Sequence, residues 1–168
     1  MKGLQLLKSD ISTADLCDKY SDSIGVAQPA GFKNYGGRKS FSGEICTVKC
    51  FENNPLVRSM LETDGAGKVL VVDGGASMKC ALMGDNLAQL ALDSNWNGIV
   101  INGCIRDSSA VSNIAIGVKA LDTIPLKSGK KNEGETGVSI GFAGITFTPG
   151  HFIYCDEDGI VVSELRLH

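Results

Sequence analysis

The sequence lacks any apolar run long enough for a membrane-spanning helix, and its first ten residues have too short an apolar stretch for a secretory signal. Its six cysteines are scattered and lack the short paired spacings of a zinc site, which predicts reduced thiols that serve as small buried hydrophobic side chains. Together these absences predict a cytoplasmic protein that makes no contact with a membrane.

Several catalytic signatures are also missing. Neither the Gly-x-x-x-x-Gly-Lys phosphate loop nor the Gly-x-Gly-x-x-Gly dinucleotide fingerprint occurs, and we expect no hydrolase nucleophile elbow. Histidine is scarce, with only His151 and His168, and no activated serine or cysteine is apparent around His151. The net charge of −3 disfavours direct binding to nucleic acid, because phosphate binding needs a basic face.

What is present is the composition of one globular domain, with 168 residues of which 43% are hydrophobic and 21% charged. Residues 68–73 form a continuous apolar run between glycines, residues 85–96 follow a helical pattern, and residues 98–102 form a second buried run. This order of strand, helix and strand predicts a parallel crossover within a single α/β domain that spans residues 1–168.

The rest of the chain predicts shorter elements. Helices are expected at residues 12–20, capped by Ser12 or Thr13, and from Pro55 onward, capped by Asn53 or Asn54 and stopped by residues 65–67. Residues 29–37 are predicted to be loop, and the lysine-rich residues 127–133 a solvated surface loop rather than a binding patch. Strands, antiparallel or mixed after residue 113, are expected at residues 45–51, 114–120, 138–142, 145–147, 152–154 and 159–162.

The first candidate site is Gly84-Asp85-Asn86-Leu87, where the helix between the two buried strands should begin. The first turn of a helix has unpaired N–H groups and a positive dipole end, and a preceding glycine lets an anion approach them. The alternative is an ordinary helix start, capped by the side chain of Asp85 or Asn86.

The second candidate site is Gly103-Cys104-Ile105-Arg106-Asp107, directly after the second buried strand. Ligands bind outside the carboxyl ends of strands in open α/β sheets. Arg106 offers a fork for an oxyanion and Asp107 a ligand for a hard metal ion, although a structural ion pair or helix cap is an alternative. Asp73 is either a supporting residue behind this site or a turn residue. Both stretches together predict a site for a small anionic substrate with a carbonyl group.

At these two stretches the sequence resembles a known family, the regulator of RNase E activity A proteins and their relatives, the class II 4-hydroxy-4-methyl-2-oxoglutarate aldolases. The resemblance runs from about Thr13 to Glu164. It also includes the stretches at residues 14–18, 41–43, 47–51, 71–75 and 159–160.

The resemblance implies a compact layered α/β sandwich with a mixed sheet, assembled as a homotrimeric ring that is doubled to a hexamer in some members, with sites near subunit interfaces. It implies that Gly84, Asp85, Asn86 and Leu87 hold the substrate carboxylate. By the same resemblance, Arg106 contacts the keto oxygen and Asp107 helps to bind Mg²⁺ or Mn²⁺, partly through water. The implied reaction is retro-aldol cleavage to pyruvate, with metal and arginine stabilising an enolate, and with oxaloacetate decarboxylation as a side activity.

Two other functions follow from the same resemblance. One branch of the family binds and inhibits an endoribonuclease without catalysis, and its members can lack the aspartate of the Arg-Asp pair, so Asp85, Arg106 and Asp107 favour the enzyme. Longer aldolases supply an acidic residue to the neighbouring subunit from a C-terminal extension, whereas this sequence stops at His168. Some relatives carry a methyltransferase label, but nothing in the sequence looks like an S-adenosylmethionine site.

Overall fold

The computed structural model describes residues 12–167, so the prediction about the first ten residues, and His168, lie outside the described residues. Within that range there are four helices and twelve strands. The helices are α1 (Thr13–Tyr20), α2 (Pro55–Leu61), α3 (Asp85–Asp93) and α4 (Ser108–Ser112). The strands are β1 (Ile24–Val26), β2 (Lys33–Asn34), β3 (Phe41–Lys49), β4 (Lys68–Asp73), β5 (Ala81–Met83), β6 (Gly98–Ile105), β7 (Gly117–Thr123), β8 (Glu135–Thr136), β9 (Ile140–Phe142), β10 (Ile145–Phe147), β11 (Phe152–Cys155) and β12 (Ile160–Ser163).

A mixed ten-stranded sheet organises the domain and confirms the α/β prediction. Its main path runs β1-β12-β11-β3-β4-β6-β7-β2, while β5 pairs with β6 and β8 with β3. The pairs β3–β4, β4–β6, β5–β6 and β6–β7 are parallel, and the outer pairs are antiparallel. A separate antiparallel hairpin joins β9 to β10. The centre of the sheet is therefore parallel, as the buried runs at residues 68–73 and 98–102 predict.

Alternation along β4 explains why its sequence is apolar throughout. Leu70 and Val72 belong to one core cluster, which α2, α3 and α4 cover. Val69 and Val71 face the opposite cluster, which includes Ile140 of the β9–β10 hairpin. A strand covered on both faces has no polar side, so its sequence reads as a continuous hydrophobic run.

The first two helices begin nearly as predicted. The Ser12 hydroxyl accepts a hydrogen bond from the Asp15 N–H at 3.2 Å, which satisfies one unpaired donor of α1. Asn54 is the N-cap of α2 and Pro55 its first residue, but the Asn54 side chain does not cap the helix. Helix α2 ends at Leu61, before the glycines that were expected to stop it.

The predicted boundary after the second buried strand was wrong. Asn102-Gly103 has the composition of a turn, yet β6 continues to Ile105 and every one of its residues is buried. The register with β7 shifts between Ile101 and Cys104, so Asn102 and Gly103 form an irregularity within the strand rather than its end. Only Arg106 and Asp107 of the second candidate stretch lie beyond the strand.

Five elements were missed because they are short, namely helix α4 and the strands β1, β2, β5 and β8. Strand β5 has three residues, too few for a period to be detected, and it lies between β4 and α3. Helix α4 has five residues and a polar sequence. Other predicted bounds shifted by up to four residues: β3 begins at Phe41, α3 ends at Asp93, β7 runs from Gly117 to Thr123, and the predicted loop at 29–37 contains β2. No helix within residues 12–167 has the length and apolar content to cross a membrane.

Candidate functional site

The N-terminus of α3 lies at the carboxyl edge of the parallel sheet. Gly84 is its N-cap, and the Asp85 N–H donates to Oδ2 of Asp107 at 3.1 Å. The N–H groups of Asn86 and Leu87, also in the first turn, have no acceptor among residues 12–167. The structure thus brings the first predicted stretch to a position where an anion can accept hydrogen bonds from the backbone.

Asp107 holds the two predicted stretches together. It follows β6, and Met83 at the end of β5 accepts a hydrogen bond from the Arg106 N–H at 2.9 Å. Asp107 itself has left-handed dihedral angles (φ 59°, ψ 39°), uncommon for a residue with a side chain. Its carboxylate caps α3 rather than its own helix α4, so the alternative of an ordinary helix start capped by the side chain of Asp85 or Asn86 was wrong.

Gly84 is required by the close approach of these side chains. Its φ of −130° is available to any residue. A Cβ at this position, however, would overlap Oδ2 of Asp107 and crowd Cγ of Arg106. The glycine therefore allows Asp107 and Arg106 to lie directly against the start of α3.

Four cationic side chains line the resulting cleft of about 70 Å³. Sequence reasoning identified only one, Arg106; the others are Arg58 on α2 and Lys127 and Lys130 after β7. Asp85 and Asp107 are the carboxylates in the same lining, so the cleft has an excess of positive charge in a protein with a net charge of −3. This local field favours an anionic ligand.

The lysine-rich loop is mostly exposed, as predicted. Its position beside the cleft, however, argues against the prediction that it takes no part in binding. The loop is tied over the site: the Ser128 N–H donates to the Ala81 carbonyl at 3.1 Å, and Ser128 is buried. Lys130 Nζ donates to Asn54 Oδ1 at 2.8 Å, and Asn54 Nδ2 donates to the Leu82 carbonyl. No local sequence signal connects Lys130 to a residue so distant in the chain.

Partial desolvation lowers the pKa of Lys130, and the nearby positive charges of Arg58, Lys127 and Arg106 lower it further. Like charges held together in a protein repel one another, and an anion bound among them relieves this repulsion. The pKa shift therefore reports the crowding of positive charge around Lys130 in the cleft, together with its partial burial.

The residues of the cleft fit a divalent cation that keeps most of its water. Asp107 offers Oδ1, which makes no hydrogen bond within residues 12–167, and the half-buried Asp85 lies next to it in the cleft. No group of three or more His, Cys, Asp or Glu side chains suited to a metal occurs in that range. Mg²⁺ needs only one or two protein carboxylates besides water and substrate oxygens, whereas zinc needs a fuller ligand set.

Other residues considered from the sequence lie outside this cleft. Asp73 Oδ1 accepts hydrogen bonds from the Gly75 N–H (2.9 Å) and Asn102 Nδ2 (3.0 Å), so it is a turn residue. His151 does not line the cleft. Residues 137–141 do contain the letters Gly-x-Ser-x-Gly, but they lead into β9 and then a hairpin rather than forming a strand-to-helix elbow.

The described cysteines are free thiols, as expected. Burial raises the pKa of Cys50 to about 11, with Asp73 and Cys80 contributing in the same direction. Burial also raises the pKa of Cys104, which lies in β6 close to the cleft. A thiolate nucleophile is therefore not favoured at either position.

The chain matches a known family over nearly its whole length. Residues 13–162 match the family described as RraA-like, Aldolase/RraA. A relative from Aromatoleum aromaticum is 54% identical over 158 residues, which cover 94% of this chain and 99% of the relative. Another, from Acinetobacter baylyi, is 52% identical and covers 92% of this chain and 94% of the relative. Both are named, provisionally, as 4-hydroxy-4-methyl-2-oxoglutarate aldolases.

Two solved structures share the fold but have different names. The RNA-processing inhibitor RraA from Thermus thermophilus is 40% identical with a TM-score of 0.90, covering 95% of this chain and 96% of that one. A protein from Geobacillus kaustophilus described as an S-adenosylmethionine:2-dimethylmenaquinone methyltransferase is 46% identical with a TM-score of 0.91, covering 94% and 97%. Proteins with this fold thus carry three different functional names, so function has to be inferred from the residues of the site rather than from the fold. Because the family match spans residues 13–162 and the relatives are about half identical, the chain belongs to the RraA-like family of aldolases and RraA proteins.

Proposed function

We propose that this protein is a divalent-metal-dependent aldolase that cleaves 4-hydroxy-4-methyl-2-oxoglutarate, or a related 4-hydroxy-2-oxo acid, to pyruvate. The observation that carries the proposal is the convergence of Arg106, Lys127 and Lys130 on the unpaired first turn of α3, beside the carboxylate of Asp107. The substrate has two carboxylates and a keto group. The site offers backbone N–H groups and cationic side chains for the carboxylates, and the carboxylate of Asp107 for a metal ion.

In this mechanism the N–H groups of Asn86 and Leu87 bind the carboxylate next to the keto group. Arg106 lines the same cleft, and its guanidinium stabilises the negative charge that develops on the keto oxygen as the carbon–carbon bond breaks. Lys127 and Lys130 orient the second carboxylate of the substrate. Oxaloacetate decarboxylation passes through the same enolate of pyruvate, so we propose it as a side activity.

Asp107 and Asp85 would hold the divalent cation, Mg²⁺ or Mn²⁺, together with water. When bound, such a cation supplies a Lewis acid that polarises the keto group. Asp107 has a second task that requires no cation: its Oδ2 fixes the start of α3, so the carboxylate-binding N–H groups and Arg106 stay in register. The homotrimer implied by the family resemblance remains a proposal, and its site would lie near subunit interfaces.

The experiment is a coupled assay of pyruvate release from 4-hydroxy-4-methyl-2-oxoglutarate and from oxaloacetate, with Mg²⁺ or with chelator. We expect metal-dependent turnover that falls at least a hundredfold in Arg106→Ala and in Asp107→Ala, because each removes an interaction with developing charge or its support. The matched controls, Arg38→Ala and Asp22→Ala, alter exposed residues outside the cleft and should retain native rates.

Light scattering on each variant checks that its mass equals that of the native protein, which a trimer of 17.7 kDa chains would place at about 53 kDa. Absence of turnover in a folded protein of native mass supplied with Mg²⁺ or Mn²⁺ refutes the aldolase proposal. Turnover that persists in the presence of chelator refutes the role of the metal, but not the proposed role of Arg106 in stabilising the enolate.

The second candidate is a regulator that binds an RNase E-type endoribonuclease. It is favoured by the relationship to the Thermus thermophilus protein, whose name describes an RNA-processing inhibitor. Retention of the endoribonuclease by the native protein and equally by Arg106→Ala, without pyruvate release, would support this function over catalysis.

A further inference from the structure

Lys119 is a buried lysine in the main sheet. It lies in β7 between Val118 and Ala120, which belong to the core under the helices, so alternation places Lys119 on the opposite face of the sheet. Its neighbours in register are Val100 on β6 and Asn34 on β2. The side chain is only 2% exposed, and a lysine is almost never buried to this degree without a partner.

Within residues 12–167, no acceptor makes a hydrogen bond or ion pair with the Lys119 ammonium. Asp156, a carboxylate that acts electrostatically on Lys119, accepts four hydrogen bonds from Thr13, Asp158 and Gly159 instead. Burial lowers the pKa of Lys119, while the carboxylates of Asp156, Asp158 and Glu157 oppose this shift.

A second polar group on this face is also unsatisfied. Oδ1 of Asn34, whose residue pairs with Lys119 across the β2–β7 ladder, is buried without a hydrogen-bond partner in the described part of the chain. Buried polar atoms are satisfied in nearly all native structures, so this unpaired oxygen marks a polar position beside Lys119 that the described residues leave unsatisfied.

The Lys119 side chain lines a cavity of about 410 Å³, within the range of small-molecule sites. The walls are largely apolar, with Val26, Ala27, Phe32 and Ile160 among them, while Glu157 and Asp158 contribute to the lining as exposed acids. The cavity shares no lining residue with the cleft at α3. It is therefore a separate compartment of the fold.

We propose that this cavity is a second ligand site, which binds a small molecule with an apolar body and a single carboxylate paired with the Lys119 ammonium. The carboxylate supplies the counter-charge that the buried ammonium lacks, and the body covers the apolar walls. A phosphate or a dicarboxylate fits less well, because one ammonium faces it and Glu157 and Asp158 repel additional negative charge.

Isothermal titration calorimetry with hexanoate, and with hexan-1-ol as its uncharged counterpart, tests the proposal. We expect saturable binding of one hexanoate per chain to the native protein, weakened at least tenfold in Lys119→Met, while any binding of hexan-1-ol changes less than twofold. Lys39→Met, which removes an exposed lysine outside the cavity, should bind hexanoate as the native protein does.

A second variant leaves the lysine in place. Ala14 is an exposed residue of α1 that lines the cavity, so Ala14→Trp should reduce the available volume and weaken hexanoate binding at least tenfold with Lys119 intact. Undetectable hexanoate binding to the native protein, or equal binding to the native protein and Lys119→Met, overturns the proposal. Pyruvate release is measured separately, because hexanoate binding at this cavity and aldolase activity are independent proposals.

Discussion

Replacing Gly84 with alanine tests whether close packing around α3 organises the catalytic site. The backbone at Gly84 (φ −130°, ψ −158°) accepts an L-residue without strain, so any effect must come from the added methyl group. That methyl would overlap Oδ2 of Asp107 and lie 3.3 Å from Cγ of Arg106. Asp107 must therefore move and release the Asp85 N–H.

The stability cost should be small and the activity cost large. Losing one hydrogen bond to an exposed carboxylate, with alanine as a poorer N-cap than glycine, costs about 1–2 kcal/mol. For a chain of this length, that lowers Tm by roughly 2–8 °C. A displacement of about 1 Å in a catalytic group lowers the rate by about a hundredfold, so kcat/KM for pyruvate release should fall by that order.

The assay pairs pyruvate release with thermal unfolding of the same samples. Gly141→Ala is the matched control, since a Cβ there finds only the Ile145 carbonyl at 3.7 Å and the φ angle is ordinary, so Tm and rate should stay native. A Gly84→Ala variant that unfolds slightly below the native Tm but keeps kcat/KM within threefold would refute the claim that this packing sets the catalytic geometry.

Two further predictions concern charge. Lys130→Gln should raise KM about tenfold with little change in kcat if this lysine binds the remote carboxylate. Because the pKa of Lys130 is lowered, the lysine should lose its proton, and the KM of the native protein should rise, at a pH below the pKa of an ordinary lysine. Initial-rate measurements of both proteins across pH test this. Asp156→Asn should lower the free energy of unfolding by about 1–3 kcal/mol at neutral pH, as the carboxylate accepts hydrogen bonds from both Thr13 N and Thr13 Oγ1 at 2.7 Å. Burial raises the pKa of Asp156, but the hydrogen bonds outweigh it and leave the pKa lowered, so this stabilisation is complete above the ordinary carboxyl pKa and disappears as pH falls through the folded value. Unfolding curves of native and Asp156→Asn proteins should therefore converge in acid; a constant difference down to pH 2 would contradict the assignment.

The sequence alone determined the parts of this protein that depend on local pattern. The apolar run of β4 (Lys68–Asp73) matched its observed bounds, because a strand buried on both faces leaves a continuous signal. Helix α1 followed from its capping serine, and the start of α3 followed from apolar periodicity after Gly84. The two glycine-led stretches were also found from sequence, since they lie beside the most strongly patterned segments of the chain.

Tertiary structure decided what those stretches contact. The turn-like Asn102-Gly103 stays within β6 because pairing with neighbouring strands outweighs local turn preference. Lys130 reaches Asn54, a residue 76 positions away, and no sequence period reports a contact of that range. Lys119 appears as one polar residue in a strand, and only the fold shows that it is buried without a described partner. Local chemistry thus set the elements, and long-range packing assembled the charges.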